Sequence, residues 1–213
     1  MRTLRLSLGM RWLVLLACAL LAACASTTVD GTWTRPEFAG TRLQGLVMVV
    51  GVARDDTVRR IYEDDMVAKL EARGVKALRS YEALPGTLHA DGSDALQEAA
   101  RKAGAAYLLS TAVIGQQRET VVTPDPFLYG GWPGWRGWYR SYWGLSYPVR
   151  AEVRTYDTYL AQTALTEVAS DRVQWTARTR TTAPTDIERE TRAFVDVLLG
   201  AMARAGLVTA AAR

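Results

Sequence analysis

The chain has 213 residues, 49% hydrophobic and 23% charged, with only two cysteines. That length suits one ordinary domain with a real core, and the composition excludes a low-complexity or disulfide-dependent chain. The formal net charge is +4, but Arg2, Arg5 and Arg11 fall within the first 23 residues, which hold no acid. Taking those three from 26 Lys and Arg leaves 23 against 22 Asp and Glu, a formal +1, so the basic footprint of a nucleic-acid binder is missing.

Residues 1–11 form a basic lead, and residues 12–22, WLVLLACALLA, form an apolar stretch too short to span a bilayer comfortably. Leu21-Ala22-Ala23-Cys24 follows. Small residues before a cleavage point are ordinary for an exported protein, but a cysteine immediately after them is not. The stretch resembles the lipobox of bacterial lipoproteins. By that resemblance residues 1–23 are a lipoprotein signal peptide, signal peptidase II cuts before Cys24, and Cys24 carries a diacylglycerol and an N-acyl chain such as palmitate. Because Cys18 lies in the discarded segment, no other cysteine remains and no internal disulfide can form. Each buried methylene contributes about 0.8 kcal/mol, so three acyl chains make a lasting anchor. The residue after Cys24 is Ala25, and the absence of aspartate there implies the outer membrane, with the domain on its periplasmic face.

Residues 24–45, polar and punctuated by Gly and Pro, read as a lipidated tether with a root-mean-square reach of about 25 Å. The domain proper is expected over 46–208. Leu46–Val52, LVMVVGV, has the pattern of a strand buried on both faces. Asp55 or Asp56 can cap a helix with Val58, Ile61, Tyr62, Met66 and Leu70 on one stripe, ended by Gly74. Val75–Tyr81 reads as a strand and 86–93 as a loop. Asp94–Ala103 reads as a helix with Asp94 and Gln97 at capping-box spacing, and Gly104 ends it. Ala105–Ile114 reads as a central strand. Tyr159–Val168 and Arg172–Thr181 read as a hairpin turning at Ala169-Ser170-Asp171. Along the second of these, Val173, Trp175, Ala177 and Thr179 alternate with a wet, basic face. Thr185 and Glu188 form a capping box before a last helix with Ile187, Phe194, Val195, Leu198 and Met202 on its buried stripe, and Gly206 ends it. Residues 209–213 are a fraying tail.

The fold class is therefore α/β (α+β): one sheet of about five strands, βαβαβ followed by antiparallel strands, with a C-terminal helix packed on it. This order is similar to that of the curli-secretion lipoprotein and of the N-terminal domain of the Tol-Pal translocation protein B. The residues that carry the resemblance are Arg59-Arg60 and Gly74, Gly104-Ala105-Ala106-Tyr107-Leu108-Leu109, and Val173-Gln174-Trp175-Thr176. The chain looks more specifically like a set of small proteobacterial lipoproteins of unknown function. It departs from the curli protein in lacking a pair of long alternating hairpins, so a channel role is not implied.

Catalytic signals are sparse. His89 is the single histidine, in a Gly-rich loop, and no HExxH, CxxC, GxSxG or GxxxxGK occurs. No metal or cofactor is expected, and the protein is read as no enzyme. Glu63, Asp64 and Asp65 could be a catalytic pair or a calcium site. Arg59–Glu63 and Arg60–Asp64 at i,i+4 spacing instead read as a solvated, mutually paired helix face. Arg172, Arg178 and Arg180 could meet anionic lipid or an acidic partner, or simply line an exposed sheet face.

Residues 124–148 form a long loop containing GGWPGWRGWYRSYWG, with four of the chain's seven tryptophans. Trp132, Trp135, Trp138, Tyr139, Tyr142 and Trp143 stand among glycines that disfavour a helix, with few aliphatic neighbours. Amphipathic rings of this kind suit protein interfaces and membrane–water interfaces, and their flat faces can stack on sugar rings. The reading is a non-catalytic, lipid-anchored outer-membrane lipoprotein that binds an envelope protein or glycan through these residues in envelope assembly or maintenance, and binds no nucleic acid. The alternative is a structural envelope protein that contacts peptidoglycan or lipid through the same loop.

Overall fold

The computed structural model describes residues 27–86, 88, 92–118, 134–137, 157–182 and 186–210. Six strands build one mixed sheet in the order β1-β6-β5-β4-β2-β3. They are β1 (Thr27–Thr34), β2 (Leu46–Val52), β3 (Ala77–Arg79), β4 (Ala105–Arg118), β5 (Asp157–Glu167) and β6 (Arg172–Thr182). The helices that accompany them include α1 (Asp56–Glu71), the single turn α2 (Ser80–Ala83), α3 (Ser93–Lys102) and α4 (Ile187–Arg204). The α+β class and the C-terminal helix lying on the sheet match the sequence reading.

Strand β2 has the predicted bounds, and its Val47, Met48, Val49, Val50 and Val52 are buried. It is flanked by parallel neighbours β3 and β4. Its two faces feed two cores. Val47 and Val49 join Tyr62, Met66, Leu70, Trp175, Leu198 and Met202 under α1 and α4. Met48, Val50 and Val52 join Leu96, Ala100, Leu108, Leu160 and Trp135 on the α3 side. A strand covered twice cannot alternate polar and apolar residues, hence the unbroken valine-rich run.

The sixth strand corrects the expected tether. Thr27–Thr34 pairs antiparallel with β6, from Thr27 opposite Thr181 to Thr34 opposite Trp175, with a bulge between Val29 and Gly31. Thr27 Oγ1 lies 2.9 Å from Thr181 Oγ1, and Val29 packs on the first core. The Gly and Pro content suggested a loop, but TTVDGTWT is rich in β-branched residues, and Gly31 falls at the bulge, where glycine is at home. Beyond β1, Phe38 and Leu43 are also buried, so 27–45 belongs to the domain.

Other elements differ in detail. The segment read as a strand over Val75–Tyr81 is a strand only at Ala77–Arg79, after which the chain turns into α2. The Asp94/Gln97 capping box does not form: α3 begins after Gly92 with no side-chain cap, and Gln97 is buried. Helix α4 is capped by Asp186, which accepts from Arg189 N, while Thr185 of the expected capping box lies outside the described residues. Ile187, predicted as core, stands 60% exposed, because the buried stripe begins only at Val195, about two turns later. Along β6, Trp175, Ala177 and Thr179 are buried as predicted, but so is Gln174, whose amide donates to Glu167 Oε2 at 3.2 Å.

Tyr62 ties α1 to the sheet: its hydroxyl lies 2.7 Å from Thr111 Oγ1, which lies 2.8 Å from Thr163 Oγ1. Burial raises the Tyr62 pKa above its ordinary 10.0, against a smaller lowering by the Thr111 hydrogen bond. A raised folded-state value makes this contribution to stability complete below about pH 10 and lost as pH climbs beyond. Urea unfolding across that range should show a wild-type stability that falls more steeply with pH than that of Tyr62→Phe, by up to about 1.4 kcal/mol per pH unit. Parallel curves would mean that Tyr62 ionises as it does in the unfolded chain.

Candidate functional site

Three features were singled out as functional: the lipid attachment point, the acidic run on α1, and the aromatic segment. Cys24 lies outside the described residues, but the chain it would anchor enters the sheet at once, since Thr27 is already paired with β6. Three residues span at most about 11 Å. The described domain therefore begins almost at the cysteine rather than at the end of a flexible leash.

The acidic run divides into one buried residue, one half-buried and one exposed. The expected solvated Arg59–Glu63 pair is corrected: Arg59 is 1% exposed and Glu63 is fully buried. Their ion pair measures 3.0 Å. Glu63 Oε1 accepts from Gly51 N at 2.9 Å, Arg59 Nε at 3.0 Å and Ser80 Oγ at 2.6 Å, while Oε2 accepts from Tyr81 N at 3.0 Å. Arg59 in turn donates to Gly86 O at 2.7 Å, Ser80 Oγ at 2.8 Å and Leu84 O at 3.4 Å. The pair thus closes the backbone where β2 ends and where β3 turns into α2. Gly51 makes room for it: a Cβ there would approach Tyr62 Cδ1 at 3.0 Å and the Arg59 backbone at 3.3 Å.

Asp64 faces outward, and Asp65 is half-buried. Asp64 accepts from the Tyr81 hydroxyl at 2.6 Å and also pairs with Arg79 rather than with Arg60. Partial burial and the hydrogen bond to Asp64 push the Tyr81 phenol up to about 12. Arg60 pairs instead with Asp56 at 2.6 Å, and Asp65 with Lys69 at 2.8 Å. Asp55 caps α1, accepting from Thr57 N at 2.7 Å and Val58 N at 3.4 Å. With that carboxylate in place, the start of α1 offers nothing to a phosphate. Among the described residues no group of three or more His, Cys, Asp or Glu could hold a metal ion. His89 lies outside them.

Of the aromatic segment, the structure describes the helical turn at 134–137. Trp132, Trp138, Tyr139, Tyr142 and Trp143 lie outside the described residues. Trp135 was expected on a binding surface, and the structure corrects this: its indole is fully buried in the α3-side core with Leu88, Leu96 and Val168. Its Nε1 donates to Ser93 O at 3.2 Å, and its backbone N donates to Asp171 Oδ1 at 3.2 Å. Asp171 sits in the β5–β6 turn with φ 54°, and Gly134 before the indole has φ 70°. Gly134 has no substitute here, since a Cβ would lie 2.6 Å from Asp171 Oδ2 and 2.7 Å from Asp171 O. An Arg136–Asp94 ion pair of 2.8 Å closes the turn onto α3.

The basic face of β6 is partly engaged. Arg180 pairs with Asp30 of β1 at 3.2 Å, Arg178 is half-buried, and Arg172 is exposed. On β1, Trp33 is 44% exposed, with the Arg35 guanidinium 5.7 Å from its ring centroid. The tether reading hid this pair. The β-branched residues around Trp33 were the signal that could have placed it on a strand.

No family model matches this chain, and no curated protein matches it. Similar solved structures include the PelC dodecamer from Paraburkholderia phytofirmans, 18% identical with TM-score 0.42, covering 81% of this chain and 94% of that one. A variant of that protein in another crystal form is 19% identical with TM-score 0.44, covering 81% and 95%. Lipoprotein GNA1162 from Neisseria meningitidis is 11% identical with TM-score 0.41, covering 76% of this chain and 99% of that one.

Proposed function

We propose that this chain is a non-catalytic bacterial envelope lipoprotein, anchored through lipid on Cys24 to the periplasmic face of the outer membrane, that binds an envelope partner in assembly or maintenance. The observation that carries the reading is Leu21-Ala22-Ala23-Cys24 at the end of a basic and then apolar lead, with an ordered strand starting three residues later. Among the described residues no helix is long and apolar enough to cross a membrane. The candidate acids favour a non-catalytic role. Glu63 is filled by four donors, and Asp64 and Asp65 are held in ion pairs. The binding surface is sought in the aromatic residues other than Trp135.

One experiment in cells tests both halves. A photo-reactive residue replaces Trp138, the cells are irradiated, and the protein is purified for intact mass and adduct identification. The expected product begins at Cys24, carries acyl groups there, and forms an adduct with a discrete envelope protein. With Cys24→Ala the chain should accumulate uncut. Cleavage of that variant after Ala23 and its release would sink the lipoprotein reading, and adducts to lipid or glycan alone would sink the protein partner.

A further inference from the structure

We infer that the lipidated domain stands on the bilayer by one end of its sheet, the end where β1 begins, with the β5–β6 turn directed away from the membrane. The inference rests on the proposed acylation of Cys24 and deepens it into a posture.

The strand registers fix which parts share that end. Thr27 is opposite Thr181, and Thr181 is opposite Tyr159. Arg118 at the end of β4 is opposite Asp157 at the start of β5, and Thr158 is opposite Thr182. Helix α4 starts at Ile187, five residues after β6 ends there, and runs back toward the opposite end, where Leu207 O accepts from Leu43 N just before β2. The opposite end holds the 168–171 turn and the close of α3, whose Ala103 and Gly104 lead into β4.

The chain between Cys24 and Thr27 reaches at most about 11 Å. The 11 residues of β6 extend about 36 Å. An acyl-bearing Cys24 therefore holds one end of the sheet at the headgroups and cannot bring the other end there while the domain is upright. Two features favour upright over lying on the β1 edge. Ile187, 60% exposed, projects at the anchored end, where an apolar side chain gains from the interface. Lying flat would set the outer edge of β1, with its polar Thr28 and Thr32 and its Asp30–Arg180 ion pair, along the surface, where none of them gains from the interface.

The mature chain makes the test clean, because Cys18 is removed and the Cys24 thiol is consumed, leaving no background thiol. Full-length protein carrying Thr28→Cys, Ile187→Cys, Trp33→Cys, Ser170→Cys or Arg101→Cys is made in a bacterium that acylates it. Each variant is labelled with a fluorophore and reconstituted into phosphatidylethanolamine–phosphatidylglycerol vesicles bearing a headgroup-linked quencher. All five positions are exposed. Labels at Thr28 and Ile187 should lose more than about half their emission, and labels at Ser170 and Arg101 less than about a tenth, as their separation along the strands demands. Equal loss at Trp33 and Thr28 would mean that β1 lies flat, and strong loss at Ser170 would mean an inverted domain; either overturns the posture. Intact mass separates the two layers of the argument. An acylated Cys24 with the wrong quenching pattern refutes the posture alone, whereas an unmodified Cys24 removes the anchor and the posture with it.

Discussion

Replacing Glu63 with alanine should destabilise the folded domain by about 3–5 kcal/mol, the cost of leaving one partner of a buried ion pair behind. Against the roughly 5–15 kcal/mol that a domain holds in total, that is about a fifth of its stability or more. The estimate rests on what the carboxylate does. It is the acceptor for Gly51 N, Ser80 Oγ and Tyr81 N as well as for Arg59. Replacing a buried pair with apolar residues of similar volume is often neutral or better. That rescue should fail here. In Arg59→Met/Glu63→Leu the backbone donors Gly51 N and Tyr81 N and the acceptors Leu84 O and Gly86 O would lose these partners. The Gly51 N contact is fully buried, and each buried, unmade hydrogen bond costs about 1–3 kcal/mol, so the double variant should remain at least about 1 kcal/mol below wild type. Urea unfolding of the chain beginning at Ala25 reads both numbers. A double variant as stable as wild type would show that the pair is dispensable and that its backbone contacts are made as well by water.

The helical spacing of Arg59 and Glu63 was legible, and so was their pairing, but not their burial. An i,i+4 pair looks the same in sequence whether it faces solvent or a neighbouring strand. What buries this one is a non-local fact: α2 folds back over the helix after a three-residue β3, and a single turn of helix is too short to leave a periodic signal. The runs that depend only on local chemistry were read well. The valines of β2, the glycines after α1 and α3, and the alternation along β6 from Trp175 onward each state their own conformation. The edge strand β1 was missed because its glycine and bulge mimic a linker, and pairing with β6 lies some 150 residues away in sequence. The lipobox reading draws on residues outside the described structure, and it stands on the chemistry of a cysteine placed after small residues.

The aromatic segment shows most clearly why residue type alone does not place a side chain. Trp135→Ala should lower stability by about 3–5 kcal/mol, the usual cost of removing a fully buried Trp or Phe side chain. In a domain of this size each kcal/mol moves Tm by about 2–4 °C, so the expected fall is on the order of 10 °C. The indole is surrounded by Leu88, Leu96 and Val168, and its ring N–H reaches Ser93 O, so truncation removes packing and a hydrogen bond together. Trp135→Phe should fall between, retaining most of the apolar contact but leaving the Ser93 carbonyl without this donor, at a cost of about 1–3 kcal/mol. The exposed Trp33 supplies the contrast: Trp33→Ala should change stability by no more than about 0.5 kcal/mol. The sequence contained no local sign that Trp135 is buried, since it stands among glycines and other aromatics that read as a loop. Trp135 is buried because Gly134, at positive φ, lets the backbone close against Asp171, which carries the indole under α3. Gly134→Ala should therefore reproduce much of the Trp135→Ala loss without touching the ring. If thermal unfolding of Trp135→Ala matched wild type, the indole would belong to a surface after all, and its packing against α3 would be of no energetic consequence.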